Sequence, residues 1–210
     1  MRIAFLGDSI TEGVGASSSE KCYVKQIERI LNCEALNYGV SGTRIARQIG
    51  YYNSYPITFD WDFQQRVDIM REDVDKVFVF GGTNDFGHGD SPIGDDNSRD
   101  PYTFCGVLRN LIEKLIKKYG RGKICFLLPL RRLIENIEEK KIFDYIERMK
   151  IILREYGVTF LDFYQDGLPQ PIDENDARYF IDGLHPNDLG HSIIANKICS
   201  YLMAENEGDF

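Results

Sequence analysis

Basic residues are in short supply in this sequence. It carries 25 Lys and Arg against 33 Asp and Glu, a formal net charge of -8, with a pI near 5.0. Basic residues gather no more densely than in the pairs Lys117-Lys118, Arg131-Arg132 and Lys140-Lys141. A nucleic-acid surface needs a basic stripe, so no nucleic-acid partner is expected. Long apolar runs are also missing. Nothing approaches the roughly 20 residues of a membrane helix, and no signal-type segment precedes the first strand-length run, which sets the expectation of a cytoplasmic protein without membrane insertion. Cysteines are few and unpatterned. The five, Cys22, Cys33, Cys105, Cys125 and Cys199, are odd in number and form no Cys-x-x-Cys, so buried reduced thiols fit better than a disulfide framework. Only three histidines are present, without paired metal-ligand spacing, and there is neither a Walker loop nor a Gly-x-Gly-x-x-Gly after the first strand. No metal, nucleotide or flavin cofactor is implied. Asp90, Asp95 and Asp96 lack the spacing and terminal glutamate of a calcium loop.

What is present is enough apolar residue to build a core. Hydrophobic residues make up 43% and aromatics 12% of 210 residues, which suits one domain over 1–210. Short apolar runs at Ile3–Leu6, Cys33–Tyr38, Lys76–Phe80, Lys123–Leu128 and Val158–Phe163 read as buried strands. Between them lie amphipathic helices. The first is marked by Tyr23, Val24, Ile27, Ile30 and Leu31. Others are expected over Tyr102–Tyr119, Glu138–Tyr156 and from Asn187 or Asp188 to Met203, with two irregular helical pieces around Pro56 within Ile45–Asp73. Strict alternation of strand and helix predicts an α/β fold: a doubly wound, mostly parallel five-stranded sheet with helices on both faces.

The strand ends are where the chemistry collects. The first strand breaks into Gly7-Asp8-Ser9-Ile10-Thr11, presenting Ser9 at the carboxyl edge where open sheets place ligands. The second ends in Asn37-Tyr38-Gly39-Val40-Ser41-Gly42, whose glycines free backbone amides for a developing oxyanion. The third ends in Gly81-Gly82-Thr83-Asn84-Asp85, offering an uncharged amide donor. A late loop, Asp182-Gly183-Leu184-His185-Pro186, places a carboxylate and an imidazole three residues apart, a spacing that can converge on a serine. Each stretch alone is ordinary turn chemistry: a strand-to-helix turn for Ser9, an Asx turn for Asn84, a helix entry for His185. Convergence on one edge favours an enzyme. Ser41 is a decoy outside any Gly-x-Ser-x-Gly elbow, and Asp8 reads as a turn acceptor. The polar loop Phe86–Pro101, with His88, has the length of a lid. Tyr51, Tyr52, Tyr55 and Trp61 read as packing, though exposed aromatics there would allow a homodimer surface.

Taken together, the four blocks resemble the SGNH hydrolases, the GDSL-type lipase/esterase family, in order and across nearly the whole chain. The resemblance implies a flavodoxin-like three-layer α/β/α fold with strand order 2-1-3-4-5. It implies Ser9 as nucleophile, His185 as general base and then acid, and Asp182 as its orienting carboxylate, with an oxyanion hole from the Ser9 and Gly42 amides and the Asn84 side chain. The family's substrates are esters of sugars or lipids, or thioesters. A polar, acidic loop after Asn84 disfavours long acyl chains, so the expected reaction is hydrolysis of a small acyl, acetyl, ester of a sugar or similar polar alcohol. Thioesterase or lysophospholipase activity is the alternative among enzymes; a non-catalytic carbohydrate-binding module is the alternative outside them.

Overall fold

The computed structural model describes residues 1–47, 51–52, 55–56, 62–87, 91–133, 139–173 and 175–207, with backbone alone at 51–52, 55–56, 139–141 and 206–207. Five strands, β1 (Arg2–Gly7), β2 (Glu34–Gly39), β3 (Lys76–Phe80), β4 (Ile124–Leu127) and β5 (Thr159–Leu161), make one all-parallel sheet of order 2-1-3-4-5. The helices among the described residues are α1 (Ser9–Glu12), α2 (Tyr23–Leu31), α3 (Phe63–Ile69), α4 (Thr83–Gly87), α5 (Phe104–Tyr119), α6 (Glu139–Glu155), α7 (Phe163–Asp166) and α8 (Asp188–Glu207). None is long and apolar enough to cross a membrane.

Side chains on a strand alternate between faces, and the central strands use both. Ala4, Leu6, Val77, Val79, Ile124 and Phe126 point into one core, filled by α3, α5 and α6. Ile3, Phe5, Phe78, Phe80, Cys125 and Leu127 point into the other, filled by α2 and α8. That is why the strands read as continuous apolar runs rather than alternating ones. Phe5 stacks on Phe78 with ring centroids 5.4 Å apart and planes 11° from parallel. Lys76 begins β3 with its stem buried, and its Nζ reaches Glu205 of α8 at 2.6 Å. All five cysteines are unpaired and four are buried, with burial pushing the Cys125 thiol up to about 12.

One stretch differs from expectation. Among the described residues of 45–73 there is one helix, not the two helical pieces expected around Pro56. Asp62 starts α3 by accepting from the Gln65 amide at 2.7 Å. Ahead of it lies a two-residue antiparallel pair, Tyr51–Tyr52 with Tyr55–Pro56. Tyrosine suits a pleated surface and proline a strand margin, a local preference that outweighed an irregular helical pattern. Trp61, His88, Asp90 and the side chains of Tyr51, Tyr52 and Tyr55 lie outside the described residues, and with them the expected aromatic packing and homodimer surface.

The second half of the expected lid is tied down. The Pro92 and Ile93 carbonyls accept from the Phe104 and Cys105 amides at 2.8 and 2.9 Å, covering the start of α5. Arg109 donates to the Asp96 carbonyl through Nε and Nη2 at 2.9 and 2.6 Å, while the Asp96 carboxylate pairs with Arg148 of α6. From its stacked, 1% exposed position, Phe78→Ala is expected to lower unfolding free energy by about 3–5 kcal/mol. Ile30→Ala, on the solvent side of α2 at 42% exposed, should cost less than about 1 kcal/mol. Urea titrations of both variants check the difference.

Candidate active site

The register of the sheet decides what its carboxyl edge presents. Gly7, the last residue of β1, faces Gly39 of β2 on one side and Phe80 of β3 on the other. Three strands therefore stop level, and the turns beyond them carry Ser9, Gly42 and Asn84. Gly39 is required by this arrangement, because a Cβ there would lie 2.1 Å from the Glu12 amide nitrogen. Only a bare backbone lets β2 end against α1. Asp8 caps α1, its Oδ1 accepting from the Ile10 amide at 3.1 Å, and Ser9 is the first helical residue, 8% exposed. Asp8 is thus the turn acceptor its sequence context suggested.

The late loop meets that serine. Ser9 Oγ lies 3.0 Å from His185 Nε2, and His185 Nδ1 lies 2.7 Å from Asp182 Oδ2. An ionised carboxylate only accepts, so Nδ1 carries the proton and Nε2 is left to accept from the Ser9 hydroxyl. Asp182 Oδ1 also accepts from the His185 and Leu184 amides at 2.7 and 3.0 Å, folding the loop into an Asx turn around its own carboxylate. Partial desolvation would raise the Asp182 pKa, but the His185 amide and ring and the Leu184 amide together hold it below the ordinary value. Gly183 permits the turn at φ +74°, and its carbonyl accepts from the Leu133 amide at 2.8 Å, fastening the loop to the segment after β4.

The second and third turns are joined. Asn84 Nδ2 donates to the Thr43 carbonyl at 2.9 Å, a bond that uses one of its two hydrogens. Next to it, Asp85 accepts from the Ile45 and Ala46 amides at 2.9 and 2.7 Å, so α4 holds the Gly42 turn from behind. Arg66 of α3 is 1% exposed beneath both turns. Its Nη1 donates to the Gly7 carbonyl at 2.7 Å and to that of Tyr38, and its Nη2 to Thr43 Oγ1 at 2.7 Å. Burial raises Asp85 to about 6 against the two amides and the nearby Arg44. Ser41 stays a decoy: its hydroxyl and amide both donate to Glu12 Oε2. Every predicted site residue sits at this edge. Arg66, Asp85 and Glu12 were not singled out from sequence, and only Asp85, beside Asn84 in its block, carried a local signal. Among the described residues no cluster of three or more His, Cys, Asp or Glu could hold a metal.

A serine, an imidazole and a carboxylate thus stand in line at the carboxyl edge of an all-parallel sheet. The chain belongs to the GDSL-like lipase/acylhydrolase family, whose profile matches residues 5–193. No curated protein matches the sequence. Among solved structures it is similar to a protein from Lactobacillus plantarum, 29% identical with TM-score 0.80 over 97% of this chain and 96% of that one. It also shares its fold with the lipase/acylhydrolase from Enterococcus faecalis, 18% identical with TM-score 0.67 over 97% and 96% of the two chains. An acetyl xylan esterase is 21% identical with TM-score 0.69 over 96% and 99%.

Burial at this edge has a measurable consequence. Desolvation pushes the Asp8 carboxyl from the ordinary 3.8 up to about 6, against the Ile10 amide, Arg66 and His185. Between those values the unfolded chain is ionised while the folded one keeps its proton, so this group's stability contribution is complete below about pH 4 and falls as pH rises through 6. Asp8→Asn caps the helix equally without titrating. The stability difference, variant minus wild type, should therefore grow between pH 4 and pH 7 by up to about 3 kcal/mol. Urea unfolding at the two pH values reads it, and a difference independent of pH would contradict the desolvation argument.

Proposed function

We propose that this hydrolase works through an acyl-enzyme on Ser9 and that its substrates are small acyl, chiefly acetyl, esters of a sugar or similar polar alcohol. The observation that carries the mechanism is the continuous hydrogen-bonded line Ser9 Oγ, His185 Nε2, His185 Nδ1, Asp182 Oδ2 at 3.0 and 2.7 Å. His185 Nε2 takes the hydroxyl proton as Oγ bonds to the acyl carbon. The Asp182 carboxylate keeps Nδ1 protonated and stabilises the imidazolium that results. The carbonyl oxygen, now negative, accepts from the Ser9 amide, the Gly42 amide and the second hydrogen of Asn84 Nδ2. Collapse of the tetrahedral intermediate breaks the ester bond, His185 protonates the departing alcohol, and water repeats the sequence on the acyl-enzyme.

The bond from Asn84 to the Thr43 carbonyl supports its part in this. It fixes the amide before substrate arrives, so no reorganisation is needed as charge develops. For the substrate, the support is the polar character of the segment beyond α4: its described part, residues 91–101, is held to α5 and α6 by ionic and backbone bonds and is not an apolar cover. A long acyl chain gains about 0.8 kcal/mol per methylene only where apolar walls bury it. The same fold serves an acetyl xylan esterase.

Initial rates on p-nitrophenyl acetate, butyrate and octanoate test both parts. We expect kcat/KM to be highest for acetate. Ser9→Ala should lose about 10⁴-fold or more, and Asn84→Ala about 10²–10³-fold in kcat with little change in KM. A preference for octanoate would overturn the substrate assignment. Undiminished hydrolysis by Ser9→Ala would overturn the mechanism.

A further inference from the structure

Ser9 and His185 stand at opposite ends of the chain, and neither the sheet nor a shared helix sets the distance between them. What joins their two segments is a strap. Ser17 donates to Asp188 twice, from its amide to Oδ1 and from its hydroxyl to Oδ2, each at 2.7 Å. Gly15 packs on the Pro186 carbonyl so closely that a Cβ would lie 2.2 Å from that oxygen. The third tie is His191, fully buried on the first turns of α8. Its Nε2 lies 3.2 Å from the Val14 carbonyl, and the Val14 amide donates to the Ser9 carbonyl at 2.9 Å. His191 Nδ1 accepts from the Tyr23 amide at 3.3 Å, and its ring stacks on that of Tyr23, centroids 6.1 Å apart. The Tyr23 hydroxyl closes the circuit by pairing with Thr11 Oγ1 of α1 at 2.9 Å.

We infer that His191 is a positioning residue: by tying α8 to the turn that follows Ser9, it sets the approach of His185 Nε2 to Ser9 Oγ. This rests on the roles proposed above for Ser9 and His185. Chemistry makes the tie conditional on protonation. Accepting at Nδ1 and donating at Nε2 is open only to the neutral imidazole; an imidazolium would turn a second donor on the Tyr23 amide. The groups around it are Asp188 on its own helix, with Lys21 near that carboxylate, His185 in the preceding loop, and the neutral Tyr23 and Cys22 of the α2 side. The segment 13–17 has no titratable side chain. Burial outweighs the Val14 bond and Asp188 and lowers the His191 pKa below its ordinary value. The strap is therefore intact above about pH 6.5 and is lost as pH falls through that lowered value.

Two variants separate positioning from mere folding. His191→Phe keeps the ring on Tyr23 and removes both hydrogen bonds; His191→Gln keeps a donor for Val14 and removes the titration. With p-nitrophenyl acetate, His191→Phe is expected to lose about tenfold or more in kcat at neutral pH with KM unchanged, as a small displacement of the base would cause. His191→Gln should stay within about threefold of wild type at neutral pH. On the acid limb, log kcat/KM of the wild type should fall more steeply than that of His191→Gln, by about tenfold once His191 is protonated. A wild-type kcat in folded His191→Phe, or acid limbs of equal steepness in wild type and His191→Gln, overturns the inference, and the glutamine variant decides if the phenylalanine variant does not fold. The low-field proton resonance of the His185–Asp182 bond reads the same geometry without turnover. It should shift or broaden in His191→Phe and be restored in His191→Gln. If hydrolysis proves independent of Ser9, this resonance still decides the strap, and an unmoved signal in folded His191→Phe rejects it.

Discussion

The level ending of three parallel strands is the constraint on which this molecule depends. Parallel pairing with even register leaves a row of carbonyls at the carboxyl edge, and the chain must reverse three times just above them. Arg66 meets that demand from below. Its guanidinium takes the Gly7 and Tyr38 carbonyls and the Thr43 hydroxyl in one planar fork, with its carbon end 4.6 Å from the centroid of the Phe63 ring. A buried cation costs several kcal/mol of desolvation unless its donors are met, and a lysine would present a point charge instead of a fork. The gain is that the ends of β1 and β2 and the Gly42 turn are held by a single group.

Much of this was legible in the sequence because it is local. Strands buried on both faces write continuous apolar runs, so all five were placed within a few residues, and the blocks around Ser9, Gly42, Asn84 and His185 declare themselves by glycine and polar residues at strand ends. Asp8 as a turn acceptor needed only the residues beside it. Arg66 was not legible, since its partners lie 28 and 59 residues away in strands whose spacing had to be known first. His191 was missed for the same reason, with Val14 177 residues distant. The stretch before α3 was misread because tyrosines and a proline at irregular spacing fit neither period, and the outcome was decided by local strand preference.

Conflicts between local preference and the fold concentrate at this edge. Asp8 and Asp85 are both buried and both pushed to about 6, beside the buried Ser9, Thr43, Arg66 and Asn84. Each carboxylate holds a turn by accepting backbone amides: Ile10 for Asp8, Ile45 and Ala46 for Asp85. Stability is given up there for fixed geometry, as expected where a site must be preorganised before substrate binds.

The two sides of the site are held by different means. Ser9 and Asn84 are 8% and 9% exposed, set in turns that the sheet, Arg66 and Asp85 immobilise. Asp182 has 47% of its side chain exposed, on a loop whose own Asx turn is its main internal support. In a wet position a carboxylate's charge is screened, so in the mechanism proposed Asp182 would act on His185 more by hydrogen bond and orientation than by field, and the larger electrostatic share would fall to the more buried Ser9 and Asn84 across the site. Orientation by an exposed loop is only as good as the anchoring of that loop. The ties from 13–17 to 185–191, together with the Leu133 amide on the Gly183 carbonyl, supply this anchoring, which is why, in the mechanism proposed, a fully buried histidine six residues beyond His185 bears on chemistry it never touches.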